Sequence, residues 1–207
     1  MTAPQGTQEW LQTRLGKITS STIHKIMSSK ENSSTRTRLL QDLIFERISG
    51  SPTKNIVTAP MARGLELESE ARKAYELQNE IVTLSGFIEH PTIKDAGASP
   101  DGLVGDDGLI EIKCLNKKSH EEIIRKQILP RQYYIQIQFQ LACTQRLWCD
   151  FVAYHPDANQ PLYVQRIMPE IKLIKEIHDK ALVFIAEVEE KYKAMKKRNS
   201  EELYKYL

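Results

Sequence analysis

Cysteine is scarce in this 207-residue chain: Cys114, Cys143 and Cys149 are the only three, and none sits in a C-x-x-C. An odd, unclustered set rules out a disulfide scaffold, a four-cysteine zinc site and a four-cysteine iron–sulfur cluster. Long apolar runs are missing too. The longest, Ala181 to Ala186, has six residues, against the ~20 that span a bilayer. Neither charge dominates: 29 Lys and Arg face 27 Asp and Glu, for a net charge of +2. Nine Gly and nine Pro are too few for a fibrous or low-complexity chain. The polar opening, MTAPQGTQEW, does not read as a signal peptide. These absences lead to the expectation of a globular protein of a reducing compartment, the cytoplasm, with no membrane association.

What remains is enough for one domain. A chain of this length buries roughly two-thirds of the surface its unfolded form exposes. Charge is unevenly spread, with eight basic and four acidic residues in 1–60 against 21 and 23 in the remainder. A basic front end beside a more acidic body suits a protein that attracts phosphate locally, and suits an ordinary protein as well.

Apolar spacing divides the chain into elements. Trp10, Leu11 and Leu15 make a short amphipathic segment, and Thr19-Ser20-Ser21 can cap a helix that buries Ile23 and Ile26. Leu39, Leu40, Leu43, Ile44 and Ile48 recur at helical spacing up to Ser49-Gly50-Ser51-Pro52, and a polar linker runs to Pro60. A helix over 61–78 has Leu65, Ala71, Ala74, Tyr75 and Leu77 as inner positions. Short strands follow at 86–88, 98–104 and 109–114, the last two joined by the turn Asp106-Asp107-Gly108. Helices over 119–128 and 131–143, strands over 147–154 and 162–168, and a long helix over 170–198 complete the chain. The pattern predicts one α/β domain with a small mixed, partly antiparallel sheet flanked by helices. It has an N-terminal helical part (1–60), a core (61–168) and a C-terminal helix (169–207).

The chemistry is concentrated in Ser99-Pro100-Asp101-Gly102 and Leu109-Ile110-Glu111-Ile112-Lys113. A turn at 106–108 brings Asp101 and Glu111 close on neighbouring strands. Alternation along a strand puts Glu111 and Lys113 on one face and Ile110 and Ile112 on the other. Two carboxylates and an ammonium on one face suit a hard cation. Mg²⁺ takes one or two carboxylates and completes its octahedron with water and phosphate. Asp101, Glu111 and the Ile112 carbonyl are candidate ligands. Lys113 is a candidate for orienting or deprotonating a water and stabilising phosphodiester charge. Taken alone, an E-x-K strand is more often a solvated sheet face.

In order along the chain stand W-L-Q-T-R-L-G-K-I-T-S-S, R-G-L-E-L-E-S-E-A-R, A-S-P-D-G-L, I-E-I-K-C and Y-Y-I-Q-I-Q-F-Q. The set resembles the PD-(D/E)xK nucleases, and within them the phage-type alkaline exonucleases of the lambda exonuclease and YqaJ viral recombinase kind, over about Trp10 to Tyr154. The resemblance implies a restriction-endonuclease-like core and a Mg²⁺-dependent 5′→3′ exonuclease, with Mn²⁺ as a possible substitute and one or two ions bound. Its substrate would be linear double-stranded DNA with a 5′-phosphate, left with a 3′ single strand for recombination by annealing. A ring-shaped homotrimer and a single-strand annealing protein as partner are implied too, in a bacterial or phage-infected cell. Residue by residue, it makes Asp101, Glu111 and Lys113 the metal and catalytic positions, Glu68 a helical carboxylate lining the metal site, and Gln136 a contact to metal-bound water or substrate. Arg14, Ser21 and Ser99 fall where the family holds the terminal 5′-phosphate. Without the resemblance, Arg14 reads as a solvated charge, Ser21 as a helix cap, and Glu68 and Gln136 as polar helix positions.

Two departures stand out. The family's further Asp, which helps hold a second metal, has no clear match; Asp95, Glu89 and His90 are the nearby candidates. The segment from Ser28 to Pro60 does not align clearly. His24, His120, His155 and His178 read as surface or capping residues, and Trp148 and Tyr154 as core or interface aromatics. Lys193, Lys196, Lys197 and Arg198 read as the wet face of the last helix. An endonuclease of the same fold and a non-catalytic DNA-end-binding module are the alternatives.

Overall fold

In the computed structural model, which describes residues 3–27, 33–53 and 59–204, six helices surround two small mixed sheets. The five-stranded sheet has the order β2-β5-β6-β7-β8, with β2 Val82–Thr83, β5 Gly102–Val104, β6 Gly108–Cys114, β7 Trp148–Tyr154 and β8 Leu162–Ile167. Only β6 and β7 run parallel in it. The second sheet has the order β1-β4-β3, from β1 Ile18–Thr19, β3 Ile88–Glu89 and β4 Ala96–Ala98.

Both faces of the larger sheet are covered. Helix α3 (Ala59–Glu76) packs Ala71 and Tyr75 on Val104, Ile110, Ile112 and Val152. Helix α5 (Arg131–Thr144) packs Ile137 and Leu141 on Leu109, Cys149 and Phe151 from the opposite side. A further cluster joins Leu39, Leu40, Leu43 and Ile44 of α2 (Ser34–Ser49) to Leu173, Ile177, Ala181 and Phe184 of α6 (Ile171–Tyr204), with Ile18, Ala96 and Phe139 between them. The remaining helices are α1 (Gln8–Arg14), capped by the Thr7 hydroxyl, and α4 (Lys117–Lys126), capped by Asn116. Among the described residues no helix is long and apolar enough to cross a membrane.

Most sequence-predicted elements are present within two or three residues; α6 alone runs further, to Tyr204. The differences have physical causes. The segment 98–104 is not one strand but two, β4 and β5, lying in different sheets. The break is at Ser99-Pro100-Asp101, where proline has no N–H for a ladder. The turn joining β5 to β6 takes its left-handed residue from Gly105 (φ 50°) rather than Gly108. Gly108 serves another need: a Cβ there would lie 2.1 Å from the Trp148 ring. Residues 23–26 form a single 3₁₀ turn rather than an α-helix, and its N-cap Thr22 makes no capping bond. Leu65 and Leu77, expected to face inward, are 67% and 87% exposed. Leu77 lies just past the end of α3, and Leu65 lines a cleft instead of the core. Strands β1 and β2 went unpredicted, and Thr19, expected in a helix cap, lies in β1; at two residues each strand is too short for an alternation signal.

Candidate active site

Strand β6 is longer than its neighbour on one side, and this builds the site. Strand β5 pairs only with Gly108, Leu109 and Ile110, whereas β7 accompanies β6 as far as Cys114. From Glu111 onward the β5 side of β6 is therefore an open edge. Asp101, in the link between the two sheets, closes part of it: its Oδ2 accepts the Ile112 N–H at 2.7 Å. A strand residue's N–H and C=O point to the same side, so the Ile112 carbonyl opens on the edge that Asp101 occupies.

Glu111 is 1% exposed, because α5 covers the face it shares with Lys113. It is fully buried rather than half-solvated, and it is held by donors. Gln136 Nε2 donates to Oε1 at 2.7 Å, Gln140 Nε2 donates to Oε2, and Lys113 Nζ donates to Oε1. Gln136 and Gln140 are four residues apart, so they meet the carboxylate from successive turns of α5. Gln140 was missed in the sequence; its signal was the i, i+4 glutamine pair on an otherwise apolar face. Its own Oε1 is buried without a partner.

Burial, then the Glu111 carboxylate, pushes the Asp101 carboxyl well above its ordinary range, against the pull of Lys113. Burial opposes the charge on Lys113, but Glu111 and Asp101 outweigh it and hold the ammonium protonated. Burial also raises Glu68, partly countered by Arg72, which pairs with it at 2.6 Å. Glu70 faces away from this group and accepts the Tyr154 hydroxyl.

A cleft of about 960 Å³ opens over this edge, lined by Glu68, Asp101, Ile112 and Lys113 together with Arg63, Leu65, Tyr133 and His155. It lies at the upper end of the size range of ligand sites. Among the described residues no three His, Cys, Asp or Glu side chains are close enough to hold a metal by themselves. The all-oxygen set of Asp101, Glu111 and the Ile112 carbonyl fits a hard cation that keeps water and takes phosphate as further ligands. It also fits electrostatically, since burial and the Glu111 carboxylate make the Asp101 carboxyl resist ionisation in spite of Lys113, and a divalent cation would favour its charged form.

The expected 5′-phosphate residues converge in part. Arg14 lies over the Trp10 ring, 3.9 Å from its centroid, and the Trp10 indole donates to Ser99 Oγ at 2.9 Å. Burial lowers the Arg14 pKa against the pull of Glu46, and its Nε is buried without a partner. Ser21 is exposed and shares a hydrogen bond with Thr19; the parallel pairing of β1 with β4 brings it to the end of the strand that leads into Ser99. Asp101 stands two residues further on, so the Arg14 cluster and the carboxylate edge share one short link.

None of the second-metal candidates joins the site. Glu89 pairs with Lys17 at 2.6 Å and Asp95 with Arg47 at 3.2 Å. His90 Nδ1 accepts the N–H groups of Thr92 and Ile93, and burial pulls its pKa down to about 4. The third carboxylate at the cleft is Glu68. Two histidines also differ from expectation: His120 is fully buried with Nε2 against the Gln160 carbonyl, and His155 is buried at the cleft wall.

Residues 9–146 match the model of the YqaJ-like viral recombinase domain. The chain belongs to this family. Among solved structures it is similar to LHK-Exo, an alkaline exonuclease from Laribacter hongkongensis, at 42% identity and a TM-score of 0.87, covering 94% of this chain and 99% of that one. The LHK-Exo complex with dAMP gives 41% identity and a TM-score of 0.89 over the same shares. A phage-related exonuclease from Haemophilus somnus 129PT shares the fold at 14% identity and a TM-score of 0.64, over 86% and 96% of the two chains. No curated protein matches. The YqaJ-like match covers the α1 cluster, the carboxylate edge and both α5 glutamines.

Proposed function

We propose that this YqaJ-family chain is a divalent-cation-dependent exonuclease that degrades one strand of linear double-stranded DNA in the 5′→3′ direction. The observation that carries the reading is the meeting of Asp101, Glu111 and Lys113 at the open edge of β6, where Asp101 and Lys113 line a cleft and Glu111 is buried beside them. Its likeness to LHK-Exo, an alkaline exonuclease, supports the exonuclease assignment.

Asp101, Glu111 and the Ile112 carbonyl would hold Mg²⁺, or Mn²⁺ in its place. When bound, such an ion supplies Lewis-acid polarisation of the phosphate and a water of lowered pKa. The chain's own residues do the rest. Lys113, held protonated by its two carboxylate neighbours, donates to the water or to a phosphate oxygen as charge grows there; the same pairing argues against it as the base. Gln136 and Gln140 fix the Glu111 rotamer. Glu68, held by Arg72, faces the same cleft and serves as an outer carboxylate for the water. Arg14 grips the terminal 5′-phosphate beside Ser99 and Ser21, setting the polarity.

The product would be a 3′ single strand for recombination by annealing, with a homotrimer enclosing the DNA and a single-strand annealing protein as partner, in a bacterial or phage-infected cell. The test is degradation of 5′-phosphorylated linear duplex against covalently closed circles, with Mg²⁺ and with EDTA. Loss of the linear substrate alone, only with Mg²⁺, is expected. Cleavage of the circles would make the chain an endonuclease. End binding without turnover would make it a binding module.

A further inference from the structure

The wall of the cleft holds a cation, Arg63, that has no carboxylate partner among the described residues. Arg63, on α3, donates from Nη1 to the Leu115 carbonyl at 3.2 Å, and its Nη2 lies 3.2 Å from His155 Nε2. Among the described residues no carboxylate pairs with it. A half-buried guanidinium held only by neutral groups has an uncompensated charge, and the missing partner is an anion.

His155 is mismatched in a complementary way. A guanidinium only donates, so facing Arg63 the imidazole must offer a lone pair at Nε2 and carry its proton on Nδ1. Yet Nδ1 faces the Asp157 N–H at 3.1 Å, which also needs an acceptor. A neutral imidazole has one lone-pair nitrogen, so one of the two donors goes unmet, and a protonated ring meets neither. An oxyanion between Arg63 and His155 removes the conflict. Arg63 turns the Nη2 hydrogen onto the oxyanion. The imidazole takes its other tautomer, with no net proton gained or lost. Nε2–H then donates to the same oxyanion, and Nδ1 accepts from Asp157.

We propose that Arg63 and His155 form a second phosphate subsite, which takes a phosphodiester of the substrate strand adjacent to the one at Lys113. Leu115, which orients Arg63, stands two residues beyond Lys113, about 7 Å for extended chain, within the reach of neighbouring phosphates on one strand. The proposal rests on the nuclease reading for its substrate, and it adds a contact outside the Asp101 edge and the Arg14 cluster.

The experiment measures equilibrium binding of 5′-phosphorylated duplex in EDTA by fluorescence anisotropy, across a salt series, for wild type, Arg63→Gln, Arg63→Lys and His155→Phe. Single methylphosphonate linkages are then scanned from the 5′ end. Arg63→Gln is expected to weaken binding about tenfold and to reduce the log–log salt slope by about one, the signature of one lost phosphate contact. Arg63→Lys keeps the slope, and His155→Phe loses a few-fold in affinity without changing it. One neutral linkage costs wild type about tenfold and Arg63→Gln nothing more. An unchanged slope in Arg63→Gln, or equal penalties for both proteins at every linkage, overturns the proposal. If Arg63→Gln binds duplex normally but loses competition by free dAMP, the site takes released mononucleotide and the strand assignment is wrong. Should Arg63→Gln fail to fold, Arg63→Lys and the wild-type scan still decide. Absence of Mg²⁺-dependent degradation by wild type would sink the nuclease reading, while the binding comparison would still read the subsite.

Discussion

Gln140 separates what holds the fold from what holds the site. Its Nε2 donates to Glu111 Oε2, while its Oε1 is buried with no partner. Gln140→Met keeps the volume and removes both features. A hydrogen bond to a charged group contributes about 1.5–3 kcal/mol, and an orphaned buried acceptor costs about 1–3 kcal/mol. The two terms oppose each other, so the net change lies between a gain of about 1.5 kcal/mol and a loss of about 2 kcal/mol, a few degrees in Tm at most for a chain of this size. Gln136→Met offers the contrast. Its amide donates to Glu111 Oε1 at 2.7 Å, and its own oxygen is not among the buried atoms without a partner. Nothing offsets that loss, so about 1.5–3 kcal/mol is expected. Activity should rank differently from stability. Oε1 keeps Lys113 when Gln136 is replaced, whereas Gln140→Met strips Oε2 of its donor; on the proposed role of Glu111 as a metal ligand, Gln140→Met should lower kcat by about tenfold or more. The assay is urea unfolding in EDTA alongside initial rates on 5′-phosphorylated duplex. If Gln140→Met proves as destabilising as Gln136→Met, or leaves kcat unchanged, the compensation argument and the positioning role both fail.

Asp101→Asn should stabilise the metal-free protein at alkaline pH. The folded-state pKa of Asp101 is raised, so below about pH 4 the carboxyl is protonated in both states and contributes nothing. As pH climbs above that, the unfolded carboxyl ionises freely and the native one resists, so stability falls until the native pKa is passed. Thermal melts in EDTA should therefore show Asp101→Asn above wild type at pH 8 and level with it at pH 3.5; adding Mg²⁺ should raise wild type alone. Arg14→Gln should erase discrimination between 5′-phosphate and 5′-hydroxyl ends, measured as the ratio of kcat/KM for the two substrates. A ratio still favouring phosphate as strongly as in wild type would remove Arg14 from end recognition.

Much of the candidate site's geometry was legible because the residues that form it are local in sequence. The Ser99-Pro100-Asp101-Gly102 link and the Glu111-x-Lys113 strand lie within 15 residues of each other, and alternation alone separates Glu111 and Lys113 from Ile110 and Ile112. Contacts from distant segments were not legible. That Trp10 would link Arg14 to Ser99 depends on packing across 89 residues. That His155 would face Arg63 depends on a pair 92 residues apart. Neither pair has a spacing that a periodicity could reveal. The fold erred where one apolar run served two sheets, at 98–104, and where an apolar helix position lined a cleft, at Leu65. In both places the chain departs from regular packing in order to build the site.

The most direct measurement is the rate of degradation of 5′-phosphorylated linear duplex by wild type, Asp101→Asn and Lys113→Met, each at saturating Mg²⁺ and in EDTA, with circular dichroism showing that all three are folded. The account predicts hydrolysis by wild type in Mg²⁺ and a loss of at least about a hundredfold in both variants, in line with removal of a group that stabilises transition-state charge. Folded Asp101→Asn or Lys113→Met digesting duplex at the wild-type rate would contradict it.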